Sequence, residues 1–339
     1  MQDWIEFIFS NQSFENKTRK VFEYQFERNP VYRRFCEAMN YPCDPPGQSD
    51  GLSSIPLLPV RAFKHANVIT KSEDYSTLNT QNSSLLFKSS GTSGMVPAMH
   101  HVADKEIYRQ SVLKCFDHFY DLDDAVILGY TPGYADNPHS SLIWMINELI
   151  KQDDIKKSRF LKLNKPLSQG EVDDIAASGK QLILFGAAFG LLDLAEISTV
   201  TLPSNSIVIE TGGMKSHRRE MSRSEMHRKM ANAFGIDISR VHSEYGMCEL
   251  LSQAYATGGK WFRSVPWMQV SIHDPDAPQT RLSAHQEGLI GVIDLANVHS
   301  CSFLLTGDRG VMDQKGRFQV LGRWNPKDLR GCNFLIEQD

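Results

Sequence analysis

Three short stretches carry residue types suited to handling a nucleotide. The first is Phe87-Lys88-Ser89-Ser90-Gly91-Thr92-Ser93-Gly94-Met95-Val96-Pro97, a run of hydroxyls and glycines that follows the apolar Leu85-Leu86-Phe87. Glycines let successive backbone N–H groups converge on an anion, and hydroxyls add donors to phosphate oxygens. The spacing is not that of the G-x-x-x-x-G-K-[ST] loop, because no Lys follows the second Gly, and a plain surface loop has the same composition. The second is His242-Ser243-Glu244-Tyr245-Gly246-Met247-Cys248-Glu249. Here an aromatic ring could stack on a base and a carboxylate three residues past the Gly could hold Mg²⁺ beside phosphates, although a Tyr-Gly at a strand end is more often a packed turn. The third is Leu305-Thr306-Gly307-Asp308-Arg309-Gly310, followed by Gly316-Arg317-Phe318-Gln319-Val320-Leu321-Gly322-Arg323. An Asp at a tight Gly turn can accept from both ribose hydroxyls, and an Arg can pair with a nucleotide acceptor. Each of these, alone, also fits an ordinary hairpin.

The elements that would position them alternate. Ala125–Tyr130, 180–185 and 206–209 are β-branched or apolar runs of strand length. Between and after them come helical patterns: 140–151 with Ser140 near its N-cap, and 222–234 with Glu225 three residues after Ser222. Strand, helix, strand, helix predicts an α/β fold with a largely parallel sheet. Past residue 285 the runs shorten to 288–293, 303–305 and 318–321, which predicts a β-rich subregion closing the core. Residues 1–80 read as a helical lead-in packed on the core, with Trp4, Ile5, Ile8, Phe9 and Val21, Phe22, Phe26 as its apolar positions, ending in a Pro-rich turn. Residues 81–321 read as the α/β core and 322–339 as a hinge and short tail.

Bulk properties narrow the classes. The 339 residues are 41% apolar and 22% charged, as in folded globular chains, and a net charge of -4 with scattered Lys and Arg argues against nucleic-acid binding. Met1-Gln2-Asp3-Trp4-Ile5-Glu6 lacks a basic lead, and the longest apolar stretch, 182–192, is too short to span a bilayer. The expectation is a cytoplasmic protein without membrane contact. Six cysteines, at 36, 43, 115, 248, 301 and 332, form no C-x-x-C pair and read as free thiols.

Taken together and in this order, the three stretches resemble the core motifs of the adenylate-forming superfamily of acyl- and aryl-CoA ligases, adenylation domains and luciferases. Within it, Ile209-Glu210-Thr211-Gly212-Gly213-Met214-Lys215 and Leu321-Gly322-Arg323-Trp324-Asn325-Pro326-Lys327-Asp328-Leu329-Arg330-Gly331-Cys332-Asn333 are similar to segments of the acyl-protein synthetases (LuxE-like), with the phenylacetate-CoA ligases next. The resemblance covers about residues 80 to 335 and implies the large-domain fold of that superfamily, with mixed or parallel sheets. It also implies ATP and Mg²⁺ as cofactors. Residues implied to contact the nucleotide are Ser89, Ser90, Gly91, Thr92, Ser93 and Gly94 at the triphosphate, and Glu210, Gly212 and Gly213. They also include Tyr245 and Gly246 at the adenine, Asp308 at the ribose, and Arg323 at the hinge. Glu249 would hold Mg²⁺, Lys215 would be catalytic, and Cys332 would accept the acyl group.

The activity implied is adenylation of a carboxylic acid, a fatty acid in that family, with release of pyrophosphate. Transfer to Cys332 follows, then delivery to a partner such as an acyl reductase or carrier protein. Two other readings stay open: a ligase or acyltransferase that delivers directly to CoA or a carrier, and a catalytically silent nucleotide-binding subunit. Typical members of the superfamily carry a further C-terminal domain whose lysine assists adenylation. No counterpart lies within these residues, so the expectation is a core with that small domain essentially missing, as in the acyl-protein synthetases. That leaves the cation at the α-phosphate unassigned, with Lys88, Lys215 and Arg218 as candidates. Of the adjacent His100 and His101, which would face opposite ways on a strand, at most one could touch phosphate. Tyr130-Thr131-Pro132-Gly133-Tyr134 and His139-Ser140-Ser141 could wall an acid pocket or be a plain loop and helix cap. Gly186 and Gly190 could leave room for an acyl chain or permit close packing.

Overall fold

Continuous runs of β-branched and leucine side chains form the central strands of the parallel sheet, whose two faces are both covered. The structure, a computed structural model, describes residues 3–41, 52–71, 84–89, 96–132, 137–212 and 221–324. The chain divides into two compact units. One comprises 1–111, 247–252 and 263–339; the other comprises 112–246 and 253–262.

The second unit is built on six strands: β4 (Ala125–Tyr130), β5 (Arg159–Phe160), β6 (Gln181–Ala187), β7 (Ile207–Thr211), β8 (Val241–Tyr245) and β9 (Ala254–Ala256), in the order β5-β4-β6-β7-β8-β9. All neighbours are parallel except β8 and β9. Helices Ser141–Ile150, Gln169–Ala176, Ala188–Ile197 and Arg223–Phe234 intervene, numbered α5 to α8 behind α4 (Lys105–Asp117), in which the division between the units falls. The expected alternation is therefore present. Val126, Leu128, Leu182, Leu184, Val208 and Val241 pack with Leu191, Met226, Met230 and Phe234 in one buried cluster. Each side chain there contributes roughly 1.5–3 kcal/mol by leaving water. Ser140 caps α5, accepting from the Ile143 amide, and Ser222 caps α8, accepting from the Glu225 amide, as the sequence predicts.

Gly186 and Gly190 serve close packing. A Cβ on Gly186 would lie 1.9 Å from the Tyr130 carbonyl oxygen on the neighbouring strand, and one on Gly190 would lie 2.4 Å from the Pro132 ring.

The first unit contains helices α1 (Trp4–Phe9), α2 (Phe14–Arg28) and α3 (Pro30–Ala38), a hairpin of β2 (Leu85–Lys88) and β3 (Met99–Val102), and a five-stranded sheet. That sheet runs β1 (Leu58–Pro59), β12 (Phe303–Met312), β11 (Glu287–Asp294), β10 (Met268–His273), with β13 (Phe318–Arg323) also paired to β12. The pair β1·β12 is parallel; the others are antiparallel. Helix α2 is fastened to the turn after β11 by Gln25, whose amide donates to the carbonyls of Asn297 and Val298 (both 2.9 Å) and accepts from the Ser302 amide.

One expectation is corrected. Thr306-Gly307-Asp308 is no tight turn: it lies inside the ten-residue strand β12. Pairing with β11 and β13 holds the backbone extended through both glycines, with a register shift between Arg309 and Gly310 instead of a reversal. Gly310 is required there, since a Cβ would meet Ile290 at 2.6 Å.

Candidate nucleotide site and family

In the first unit, the segment 247–252 is pinned by three buried side chains from distant parts of the chain. The His100 Nδ1–H, from β3, donates to the Cys248 carbonyl (2.7 Å), and the Asn297 amide donates to the Glu249 carbonyl (2.7 Å). Asp294, at the end of β11, accepts from the Leu251 and Ser252 amides (2.8 and 2.9 Å) and from the Ser252 hydroxyl (2.6 Å). A buried carboxylate holding backbone N–H groups in this way fixes a loop that would otherwise carry unsatisfied donors.

The segment so fixed presents Glu249. The residue is 8% exposed and burial holds its pKa above the usual range; the nearby Asp308 raises it further, while Arg323 and Lys64 pull it down. Asp308 is itself paired, its Oδ1 accepting from the Arg323 Nε at 3.0 Å across the β12·β13 register. Residues far apart in sequence, Lys64, Glu249, Asp308 and Arg323, thus share one electrostatic neighbourhood of two acids and two bases.

Ser89 closes the base of the hydroxyl-rich loop: its amide donates to the Ala98 carbonyl (3.0 Å) and its hydroxyl accepts from the Ala98 amide (2.9 Å). The remaining loop positions, Ser90, Gly91, Thr92, Ser93 and Gly94, lie outside the described residues, as do Gly213, Lys215, Arg218, Gly133, Tyr134 and Cys332. The His100 side chain is turned into the protein. It is fully buried against Phe63 (ring centroids 5.4 Å), and burial lowers its pKa to about 4, so it stays neutral.

In the second unit, the C-terminal ends of β7 and β8, the edge where open α/β sheets bind ligands, bring together Glu210, Thr211 and Gly212 with Ser243, Glu244, Tyr245 and Gly246. The Glu210 carboxylate is turned inward. It accepts from the Ser243 hydroxyl (2.5 Å), and lies 3.3 Å from the His227 Nε2 and 3.6 Å from the Arg223 Nε of α8. Gly212 has φ +78°, a left-handed backbone that disfavours any side chain. Glu244 is bonded to the Thr211 hydroxyl, and burial, with Glu210 nearby, pushes its pKa up to about 7. The Tyr245 ring is nearly buried and meets Phe262 edge-on at 6.1 Å. A Cβ on Gly246 would lie 2.4 Å from a Glu244 carboxyl oxygen, so only glycine leaves that carboxyl its place. Thr131 is buried and Ser140 is the α5 cap.

The sequence reading passed over Asp294, Asn297 and Glu244. The available signal for Asp294 and Asn297 was their place inside the apolar run 292–298, where a buried polar group must be answering some other group; Glu244, among the polar His242 and Ser243, carried no such signal.

The architecture and these motif positions define the fold of adenylate-forming enzymes. Among solved structures it is similar to ATP-bound MatB from Rhodopseudomonas palustris, at 16% identity over 70% of this chain and 47% of that chain, TM-score 0.50. It is also similar to 2-hydroxyisobutyryl-CoA ligase, in the postadenylation state in complex with R3-HIB-AMP, at 14% identity over 91% of this chain and 67% of that chain, TM-score 0.63. The same ligase in complex with 2-HIB-AMP and CoA in the thioesterification state gives TM-score 0.64, at 14% identity and the same 91% and 67% coverage. These likenesses are of fold, and the chain spans about half the length of MatB. No curated protein matches the sequence. The family of acyl-protein synthetases, LuxE, matches residues 153–339, more than half of the chain. The chain belongs to that family.

Proposed function

We propose that this protein is an ATP-dependent acyl-protein synthetase: it converts a carboxylic acid, a fatty acid in the leading case, to an acyl adenylate and then to a thioester on Cys332. In the first step a carboxylate oxygen of the acid attacks the α-phosphorus of ATP; the bond to the β-phosphate oxygen breaks and pyrophosphate leaves with the electron pair. In the second, the Cys332 thiolate attacks the acyl carbon and AMP leaves. The thioester is passed on to a partner such as an acyl reductase or a carrier protein. The observation that carries this reading is the convergence of Glu249, Asp308 and Arg323, 74 positions apart at their ends (323 − 249), in one electrostatic cluster, in a member of this family.

Under this reading Ser89 sets the base of a loop, Ser90 to Gly94, that binds the triphosphate. Tyr245 and Gly246 flank the adenine, Asp308 holds the ribose and Arg323 marks the hinge. Lys215 serves as the catalytic cation, and Gly212 and Gly213 serve in nucleotide binding. Glu210, engaged by Ser243, His227 and Arg223, acts as the anchor of Gly212.

Glu249 fits Mg²⁺. Its buried carboxyl is disfavoured as an anion by burial and by Asp308, a penalty that a cation relieves. Mg²⁺ in nucleotide sites needs only one or two protein carboxylates beside phosphate oxygens and water. Among the described residues no group of three or more His, Cys, Asp or Glu is arranged for a metal ion. A Mg²⁺ ion held there would neutralise charge on the phosphates. Among the described residues no helix is long and apolar enough to cross a membrane.

Three of the other five cysteines are poor candidates for the acceptor. Burial pushes the Cys36 thiol up to about 12 and raises Cys248 and Cys301 as well, so these three stay protonated and are poor nucleophiles. Intact mass after incubation with ATP, Mg²⁺ and a panel of fatty and aryl acids tests the reading. The expected result is a hydroxylamine-labile acyl adduct on the wild type and none on Cys332→Ser, with pyrophosphate released by both. Pyrophosphate release without an adduct would move delivery to CoA or a carrier. No acid-dependent pyrophosphate release at all would leave only the silent-subunit reading.

A further inference from the structure

The source of positive charge at the transferring phosphate is the part of the site that the motifs leave open, and the fold brings a candidate to it from residues the motifs do not include. Strand β1, Leu58–Pro59, pairs parallel with β12, with Leu58 opposite Leu304 and Pro59 opposite Leu305. The chain then turns at once through a 3-10 turn, Val60–Lys64, closed by the His65 and Ala66 amides donating to the Ala62 carbonyl (3.0 and 2.9 Å). It therefore leaves the sheet beside the end of β12 that carries Thr306 to Asp308, and the turn packs against β3 and β12. Ala62 and Phe63 are its buried anchors. Phe63 packs edge-on to His100, the residue that holds the Cys248 carbonyl next to Glu249.

Lys64, half-buried at the end of this turn, lies on the side of Glu249. Its ammonium acts on the Glu249 carboxyl without lying in ion-pair contact with it, and among the described residues it forms no ion pair. Arg323, the other base of the cluster, is already engaged by Asp308. A half-buried ammonium held by the fold near a buried acid, yet not paired with it at contact distance, suits an anionic partner that arrives with the substrate.

We propose that Lys64 is a phosphate-facing cation of the nucleotide site: it binds the polyphosphate of ATP and offsets the charge that builds on the α-phosphate and on departing pyrophosphate. This rests on the adenylation reading above. No proton moves in the step, so the ammonium acts as a fixed charge throughout and not as an acid.

The test uses the full chain and three proteins: wild type, Lys64→Met and Lys64→Arg. Binding of ATP, AMP and adenosine is measured by calorimetry, and acid-dependent ATP–pyrophosphate exchange is measured separately. The expected result for Lys64→Met is a loss of about 10²-fold in the exchange kcat/KM for ATP, the usual effect of removing one preorganised charge donor. ATP affinity should fall while adenosine affinity stays unchanged. Lys64→Arg should recover a large part of the loss, and added ethylammonium should partly restore exchange in Lys64→Met, which a merely structural role would not permit. Wild-type binding and exchange with a Lys64→Met that matches it overturns the assignment of Lys64 alone. Wild type that neither binds ATP nor exchanges pyrophosphate overturns the adenylation reading and this assignment with it.

Discussion

Glu244 gives the stability of the parallel-sheet unit a pH dependence that one substitution should remove. Its carboxyl is buried at the end of β8, bonded to the Thr211 hydroxyl, and burial lifts its pKa from 4.5 to about 7. Below pH 4.5 the group is protonated in folded and unfolded chains alike and contributes nothing to pH dependence. As pH rises the unfolded chain ionises first while the folded chain keeps its proton, so folding loses roughly 1.4 kcal/mol per pH unit up to about pH 7. Above that both states are ionised and the loss, in total about 3 kcal/mol, stays constant. Glu244→Gln keeps an acceptor for Thr211 and the shape of the protonated acid. The variant should match the wild type near pH 4.5 and be more stable by about 3 kcal/mol near pH 8. Urea unfolding followed by circular dichroism at intervals between those values reads the difference, and hydrogen exchange of the β7 and β8 amides assigns it to this sheet. Two urea midpoints that run parallel across the whole range would refute the argument, because Glu244 would then ionise in the folded protein as it does in the unfolded one.

Two further substitutions check the packing and the pinned segment. Gly186→Ala sets a methyl 1.9 Å from the Tyr130 carbonyl oxygen, a backbone atom locked in the β4·β6 ladder; the loss should reach about 3 kcal/mol or more. Gly170→Ala, where nothing lies within 4 Å, should be neutral or gain up to about 1 kcal/mol, and thermal melts of the two compare them directly. Asp294→Asn leaves a donor amide facing the N–H and O–H groups of Leu251, Ser252 and Ala296. It should lower stability by about 2–4 kcal/mol, and, since the same segment presents Glu249, it should raise the Mg²⁺ concentration needed for half-maximal pyrophosphate exchange; unchanged Mg²⁺ dependence in a folded variant would separate the segment from the metal.

How much of this was legible in the sequence follows from where the information sits. The strands Ala125–Tyr130 and Ile207–Thr211 and the caps at Ser140 and Ser222 are visible because each is decided locally, by a short apolar run or by a hydroxyl one turn from the amide it receives. Strand β12 was not read to its full length, since Gly307 and Gly310 signal a turn locally and are overruled by pairing on both sides with β11 and β13. The residues that hold Glu249 were invisible for the same kind of reason. Asn297 acts 48 positions from the carbonyl it binds and His100 acts 148 positions away, and no spacing rule connects them.

The motif around Tyr245 shows why contiguity in sequence misleads. Read as a string, Tyr245-Gly246-Met247-Cys248-Glu249 is a single turn, and one would assign its ring and its carboxylate to one local structure. The chain's division falls between Gly246 and Met247: the Tyr and Gly belong with the parallel sheet, while 247–252 belong with the antiparallel sheet and the N-terminal helices. Each part is fixed from within its own unit. Gly246 is constrained by the Glu244 carboxyl, and Glu249 by Asp294, Asn297 and His100. Five consecutive residues therefore carry two independent sets of structural constraints. Substitutions at Glu244 and at Asp294, which have no hydrogen-bond partner in common, should accordingly act additively on stability; the motif's residues are neighbours in the chain but not in what holds them.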